Sequence, residues 1–229
     1  RITSTVNMQV APDGQITGTS TISATGSSAP SFRYYLMDYS GPKKDEIPAS
    51  QLAAFNQVGT GTYKFEPVGD LNNPVVFETT FSVNPVTNFP GPGAIWMPVG
   101  LGPGRINDMR SETPMSPQTF PFVCRSYAYE EHYKLELPDN VRINHLPESV
   151  DFSENGHTYR ATYRTTDSAT DNATDSQEGN VVWLSRLLEI ETASDVCQPG
   201  DEETYNRLLK VVQNDLRGQI LYEPAQTAD

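Results

Sequence analysis

The sequence predicts a mainly β protein: antiparallel, sandwich-like sheets with one clear amphipathic helix near the C-terminus. Three observations predict it. With 18 prolines and 16 glycines in 229 residues, punctuation is frequent and elements should be short. Alternation of apolar and polar residues recurs along the chain, the period of a half-buried strand. Helical spacing is convincing over a single stretch, Asp201 to Leu216.

The first strand sets Ile2, Ser4, Val6, Met8 and Val10 on one parity and Thr3, Thr5, Asn7 and Gln9 on the other. Pro12-Asp13-Gly14-Gln15 is turn chemistry, with glycine at the φ > 0 position. A Thr/Ser-rich return strand, Ile16 to Thr25, completes a hairpin. Ser31 to Tyr39 fits either a short helix or a buried strand, and Pro48 to Phe55 is helix-like. Tyr63 to Pro67, Val75 to Val83 and Ala94 to Pro98 are predicted strands. Gly102-Pro103-Gly104, Pro114, Pro117 and Pro121 mark a composition break. The predicted organisation is therefore a sandwich-like domain over 1–105, a connecting segment over 106–120, and a sheet plus helix over 121–229.

The second half opens on a long alternating strand, Tyr127 to Leu137, stopped by Pro138. Val141, Ile143 and His145 begin another strand. Asn155-Gly156 signals a hairpin between Val150–Phe152 and Thr158–Thr165. Asp167 to Gly179 is polar and of low complexity, the expected composition of a mobile loop tip. Asn180 to Glu191 places Val182, Leu184, Arg186, Leu188 and Ile190 on one parity. The helix carries Tyr205, Leu208, Leu209, Val212 and Leu216 on one face, acids in its first turn and Gly218 after its end. Gln219 to Tyr222 is a last short strand.

A formal charge of −13, from 29 acidic and 16 basic residues, disfavours a phosphate backbone or an anionic membrane surface as partner. No apolar run approaches the ~20 residues of a membrane span. The chain begins at Arg1, which suggests processing or excision from something longer.

Candidate chemistry is sparse. Cys124 and Cys197 either form one disulfide, which would add about 4 kcal/mol in the chain-entropy model, or remain separate buried thiols. A nucleophilic cysteine would need a histidine in reach, with His132, His145 and His157 available, and a lowered thiol pKa. Cys124 precedes a strand, and Cys197 precedes a helix but among acids that oppose a thiolate. Glu130 and Glu131 are adjacent on a strand and so point to opposite faces. Asp167, Asp171 and Asp175 recur in the polar loop as weak calcium candidates, without the glycine bend and terminal glutamate of a helix–loop–helix site. No histidine has a companion at zinc spacing. Tyr34, Tyr35, Trp96 and Trp183 would suit a sugar-stacking platform if exposed together, though such residues more often build cores. No catalytic residue, cofactor site or resident metal is expected.

The order of the second half is Pro121-Phe122, Tyr129-Glu130-Glu131, Leu137-Pro138, Leu146-Pro147, then Ser185 through Ile190, then Tyr205 through Leu209 ending near Ile220-Leu221. This order resembles the region that follows the catalytic core in bacterial transglutaminase-like proteins, which also carry an N-terminal β domain of unknown function. The first half, opening with a strand, Asp13-Gly14 and a Thr-rich strand, is similar to the segment that follows that core. The resemblance implies a non-catalytic accessory module, exported to the bacterial periplasm or surface, that packs on a transglutaminase-like core or binds another protein. Export would fit pairing of Cys124 with Cys197. A carbohydrate- or cell-surface-binding module is the alternative, and a self-contained cysteine hydrolase a distant third.

Overall fold

The computed structural model describes residues 1–37, 46–65, 71, 73–85, 88–97, 99–166 and 180–225. The chain is mainly β, as its alternation predicts. Strands β1 (Ile2–Val10) and β2 (Ile16–Ala24) form the first hairpin. Gly14, at φ +88°, makes the turn. The ambiguous stretch after it is helix α1 (Ser28–Met37), which puts Phe32 and Leu36 into the core. Helix α2 (Ile47–Ala54), β3 (Gly59–Phe65), β4 (Val75–Val83) and β5 (Gly93–Trp96) follow.

The later strands are β6 (Phe122–Val123), β7 (Tyr127–Glu136), β8 (Val141–His145), β9 (Val150–Glu154), β10 (His157–Thr166), β11 (Val181–Ile190), β12 (Val196–Cys197) and β13 (Gln219–Pro224). Asn155 and Gly156 take φ +46° and +78°, the left-handed pair that a two-residue hairpin requires. Helix α3 (Glu202–Asp215) buries Leu208, Leu209 and Val212 completely, with Leu216 just beyond it. Each such side chain contributes about 1.5–3 kcal/mol by leaving water. No described helix is long and apolar enough to cross a membrane.

Eight strands form one sheet in the order β3-β4-β2-β1-β7-β11-β10-β9. Every pair is antiparallel except β1 with β7, which run parallel with Ile2 opposite Tyr129 and Val6 opposite Tyr133. Segments 1–105 and 121–229 are thus joined edge to edge through β1 and β7. A smaller sheet, β5-β13-β8, takes one strand from the first segment and two from the second. A two-stranded ribbon, β6 with β12, completes the strands.

One face of the large sheet is covered. The smaller sheet packs over its middle through Ile95, Ile220 and Tyr222 against Val6, Met8, Tyr133 and Leu135. Helix α1 closes one end over Ile22 and Phe77, and α3 closes the other over Tyr159 and Leu188. The stretch 106–120 begins with a 3-10 turn (Ile106–Ser111) whose Ile106 and Met109 are buried under α3. Among the described residues nothing covers the opposite face, where Thr5, Asn7, Thr19, Thr80, His132 and Thr162 are all exposed. Alternation puts core residues on one side of these strands and hydroxyl or charged residues on the other.

Candidate functional site

The covered face is not wholly apolar. A line of buried polar side chains crosses it and receives the backbone of the Gly100–Ile106 loop. Ser4 Oγ donates to the Gly102 carbonyl at 3.0 Å. Ser20 and Thr79 share a hydrogen bond of 2.7 Å, and Thr79 also reaches the Leu101 carbonyl. Glu131 Oε1 accepts the Ile106 N–H at 2.8 Å. The Tyr133 hydroxyl lies against both the Pro103 carbonyl and Glu131 Oε2. Gly104, at φ +100°, leaves the room that the Glu131 carboxyl occupies, since a Cβ there would overlap it. The Gly-Pro-Gly run that marks a composition break in the sequence is therefore held against this buried polar line, with Gly102 buried and Pro103 and Gly104 half-buried.

Tyr133 donates to Glu131 Oε2 at 2.9 Å. Desolvation is the largest influence on Glu131 and raises its pKa to about 7, against the opposing pull of Arg186 and of the Ile106 and Tyr133 hydrogen bonds.

Arg186 faces Glu131 directly across the β7–β11 pair. Its Nε donates to Asp215 Oδ2 at 2.8 Å, and its Nη2 donates to the Tyr163 hydroxyl at 3.0 Å. Tyr159 and Tyr163 donate to the two oxygens of Asp215 at 2.5 and 2.6 Å. Burial works against the guanidinium charge, but Tyr159, Tyr163 and Asp215 outweigh it and raise its pKa. Burial likewise raises Tyr159. Perturbed groups often mark reaction sites. Here Glu131 and Arg186 are 1% and 2% exposed, so no solute touches them. The cluster ties α3 to the sheet.

The two cysteines are bonded to each other, with Cα atoms 5.7 Å apart, beside the β6–β12 ribbon. The histidines are dispersed. His132 is on the open face beside Glu130, His157 sits at the β9–β10 hairpin, and His145 ends β8. Asp167, Asp171 and Asp175 lie outside the described residues. Among the described residues no group of three His, Cys, Asp or Glu could hold a metal ion. The suggested aromatic platform does not assemble: Tyr34 and Trp96 are exposed but belong to α1 and β5, on different parts of the molecule. The side chain of Tyr35 is outside the described set.

Trp183 stands elsewhere, on the open face, in company the sequence did not disclose. One cross-strand row reads Asn7, Lys134, Trp183, Arg164 over β1, β7, β11 and β10. The next reads Thr5, His132, Ser185, Thr162. Both rows line one shallow depression of about 380 Å³. Lys134 Nζ and Arg164 Cζ lie 5.1 and 5.9 Å from the Trp183 ring centre, one from each neighbouring strand, within cation–π reach. Strand parity alone puts Lys134 and Trp183 outward. Their adjacency depends on the β7–β11 register, which no local pattern encodes.

No family model matches the chain, and no curated protein matches it. Among solved structures, the crystal structure of baculovirus P35 aligns with 83% of this chain and 97% of that one, at 7% identity and a TM-score of 0.20. That likeness is too slight to carry an argument.

Proposed function

We propose that this chain is a non-catalytic accessory module of an exported bacterial transglutaminase-like protein, acting by packing on a catalytic core or by binding a protein partner. The observation that carries the non-catalytic reading is the disulfide. It occupies both thiols, so neither sulfur is free to act as a nucleophile. The charged groups with the most altered environments serve the core and are closed to solvent. A disulfide also fits an oxidising compartment such as the periplasm or cell exterior. The order of Leu-Pro stops and strands described above supports the family.

Two measurements test this. The oxidised chain, given an amine donor and a glutamine peptide, should incorporate no amine. It should also co-elute with a separately expressed transglutaminase-like core and raise the core's unfolding temperature. Turnover by the chain alone would overturn the non-catalytic reading, and failure to associate with any such core would remove the family assignment. A second reading, binding to carbohydrate or a cell surface, is favoured by one observation: the depression around Trp183.

A further inference from the structure

The open-face depression has a charge unlike the rest of the chain. The protein carries a formal charge of −13, yet among the described residues the lining of this depression includes Lys134 and Arg164 and no carboxylate. Lys134 also pairs with Glu136 at its rim, while Arg164 has no ion-pair partner among the described residues. A local cation site on an anionic protein selects ligands whose negative charge is confined to that site.

The remaining lining defines the ligand further. Thr5, Asn7, Thr162 and Ser185 present hydroxyl and amide groups that both donate and accept. Four strands at ordinary spacing make the rows roughly 14 Å long. Trp183 supplies a rigid wall between the two cations. Protein interfaces are organised around an apolar centre, and here Trp183 is flanked by charge and hydroxyls instead. Nucleic acid is disfavoured by the overall charge. A neutral sugar would leave the Arg164 guanidinium, which has no carboxylate partner among the described residues, without a counter-charge.

We propose that this depression binds an oligosaccharide bearing carboxylates, with a carboxylate on Arg164 and Lys134 and sugar hydroxyls along Thr5, Asn7, Thr162 and Ser185. The proposal rests on the chain being a binding module, and it assigns that module a ligand class and an address.

The test is calorimetric titration of the full chain with tetragalacturonate, with cellotetraose and tetraglutamate as comparison ligands, on the parent and on Arg164→Gln and Lys134→Gln. Unfolding temperatures show that the variants fold. Tetragalacturonate should bind the parent, cellotetraose at least tenfold more weakly, and each variant should lose about tenfold in affinity for the uronate. Absence of uronate binding, or binding unchanged in both variants, would overturn the proposal. So would tetraglutamate binding as tightly as the uronate through Arg164, because the site would then recognise acidic peptide. A negative result leaves the packing on a transglutaminase-like core intact, since co-elution measures that separately. Amine incorporation by the chain would likewise leave this ligand assignment standing.

Discussion

Glu130 and Glu131 are neighbours in the sequence and opposites in the structure. Glu130 lies on the open face, where it meets Arg1 at 2.9 Å and His132 at 3.1 Å in contact with water. Glu131 lies on the covered face, closed off beneath the Gly100–Ile106 loop. The same chemical group is a mildly useful surface charge on one side and a proton-holding structural part on the other. Burial makes the difference: exposed pairs typically contribute up to about 1 kcal/mol, whereas an unpartnered buried charge costs several. The two faces should therefore respond very differently to substitution.

The widest gap is expected at Arg186. Arg186→Met leaves Asp215 buried with two tyrosine donors but no counter-charge. A loss of about 3–5 kcal/mol is expected in urea unfolding. Pairing it with Asp215→Leu should recover a substantial part, because both charges are then gone. If the single variant loses less than 1 kcal/mol, the covered-face cluster does not anchor α3.

Glu131 gives the next effect, and it depends on pH. Its folded pKa of about 7 lies above the 4.5 of an unperturbed glutamate. The folded state therefore binds the proton more tightly than the unfolded state. That stabilisation is fully present below pH 4.5 and is lost as pH rises through 7, a difference of about 3 kcal/mol. Subtracting the profile of Glu131→Gln from that of the parent removes the contribution of general charge repulsion. A flat difference between pH 4 and 8 would show that Glu131 has the same pKa in the folded and unfolded states.

Gly104→Ala should cost about 2 kcal/mol, from the positive φ and from displacing the Glu131 carboxyl. It should also lower the pH dependence if the loop and Glu131 act as one unit. The smallest effect belongs to the open face, where Glu130→Gln should change stability by less than 0.5 kcal/mol. A large loss there would mean that the two faces are not distinguished as described.

Much of this fold was legible because it is local. The parity of Val182, Leu184, Arg186, Leu188 and Ile190 correctly marked the buried side of β11. Asn155-Gly156 marked the β9–β10 hairpin, and the apolar face of α3 gave the docking side of that helix. What could not be read depends on separation. Residue pattern does not say that β1 lies parallel to β7, or that β5 joins β13. Glycine and proline look alike in an exposed connection and in a loop pressed into a core. Gly102 and Gly104 are of the second kind, distinguished only by the Ser4, Tyr133 and Glu131 side chains that meet the loop. The Lys134–Trp183–Arg164 row was hidden for the same reason, since it joins three strands through register alone.

The parallel pairing of β1 with β7 also bears on how the protein is made. During synthesis the β1–β2 hairpin emerges more than a hundred residues before its other neighbour, with Val6 matched to Tyr133. Until that partner arrives, one long edge of β1 presents unpaired amides to any strand nearby, in the same chain or another. Assembly must wait on a contact of high sequence separation, a slow and aggregation-exposed route. Truncation anywhere between β2 and β7 would make that exposure permanent.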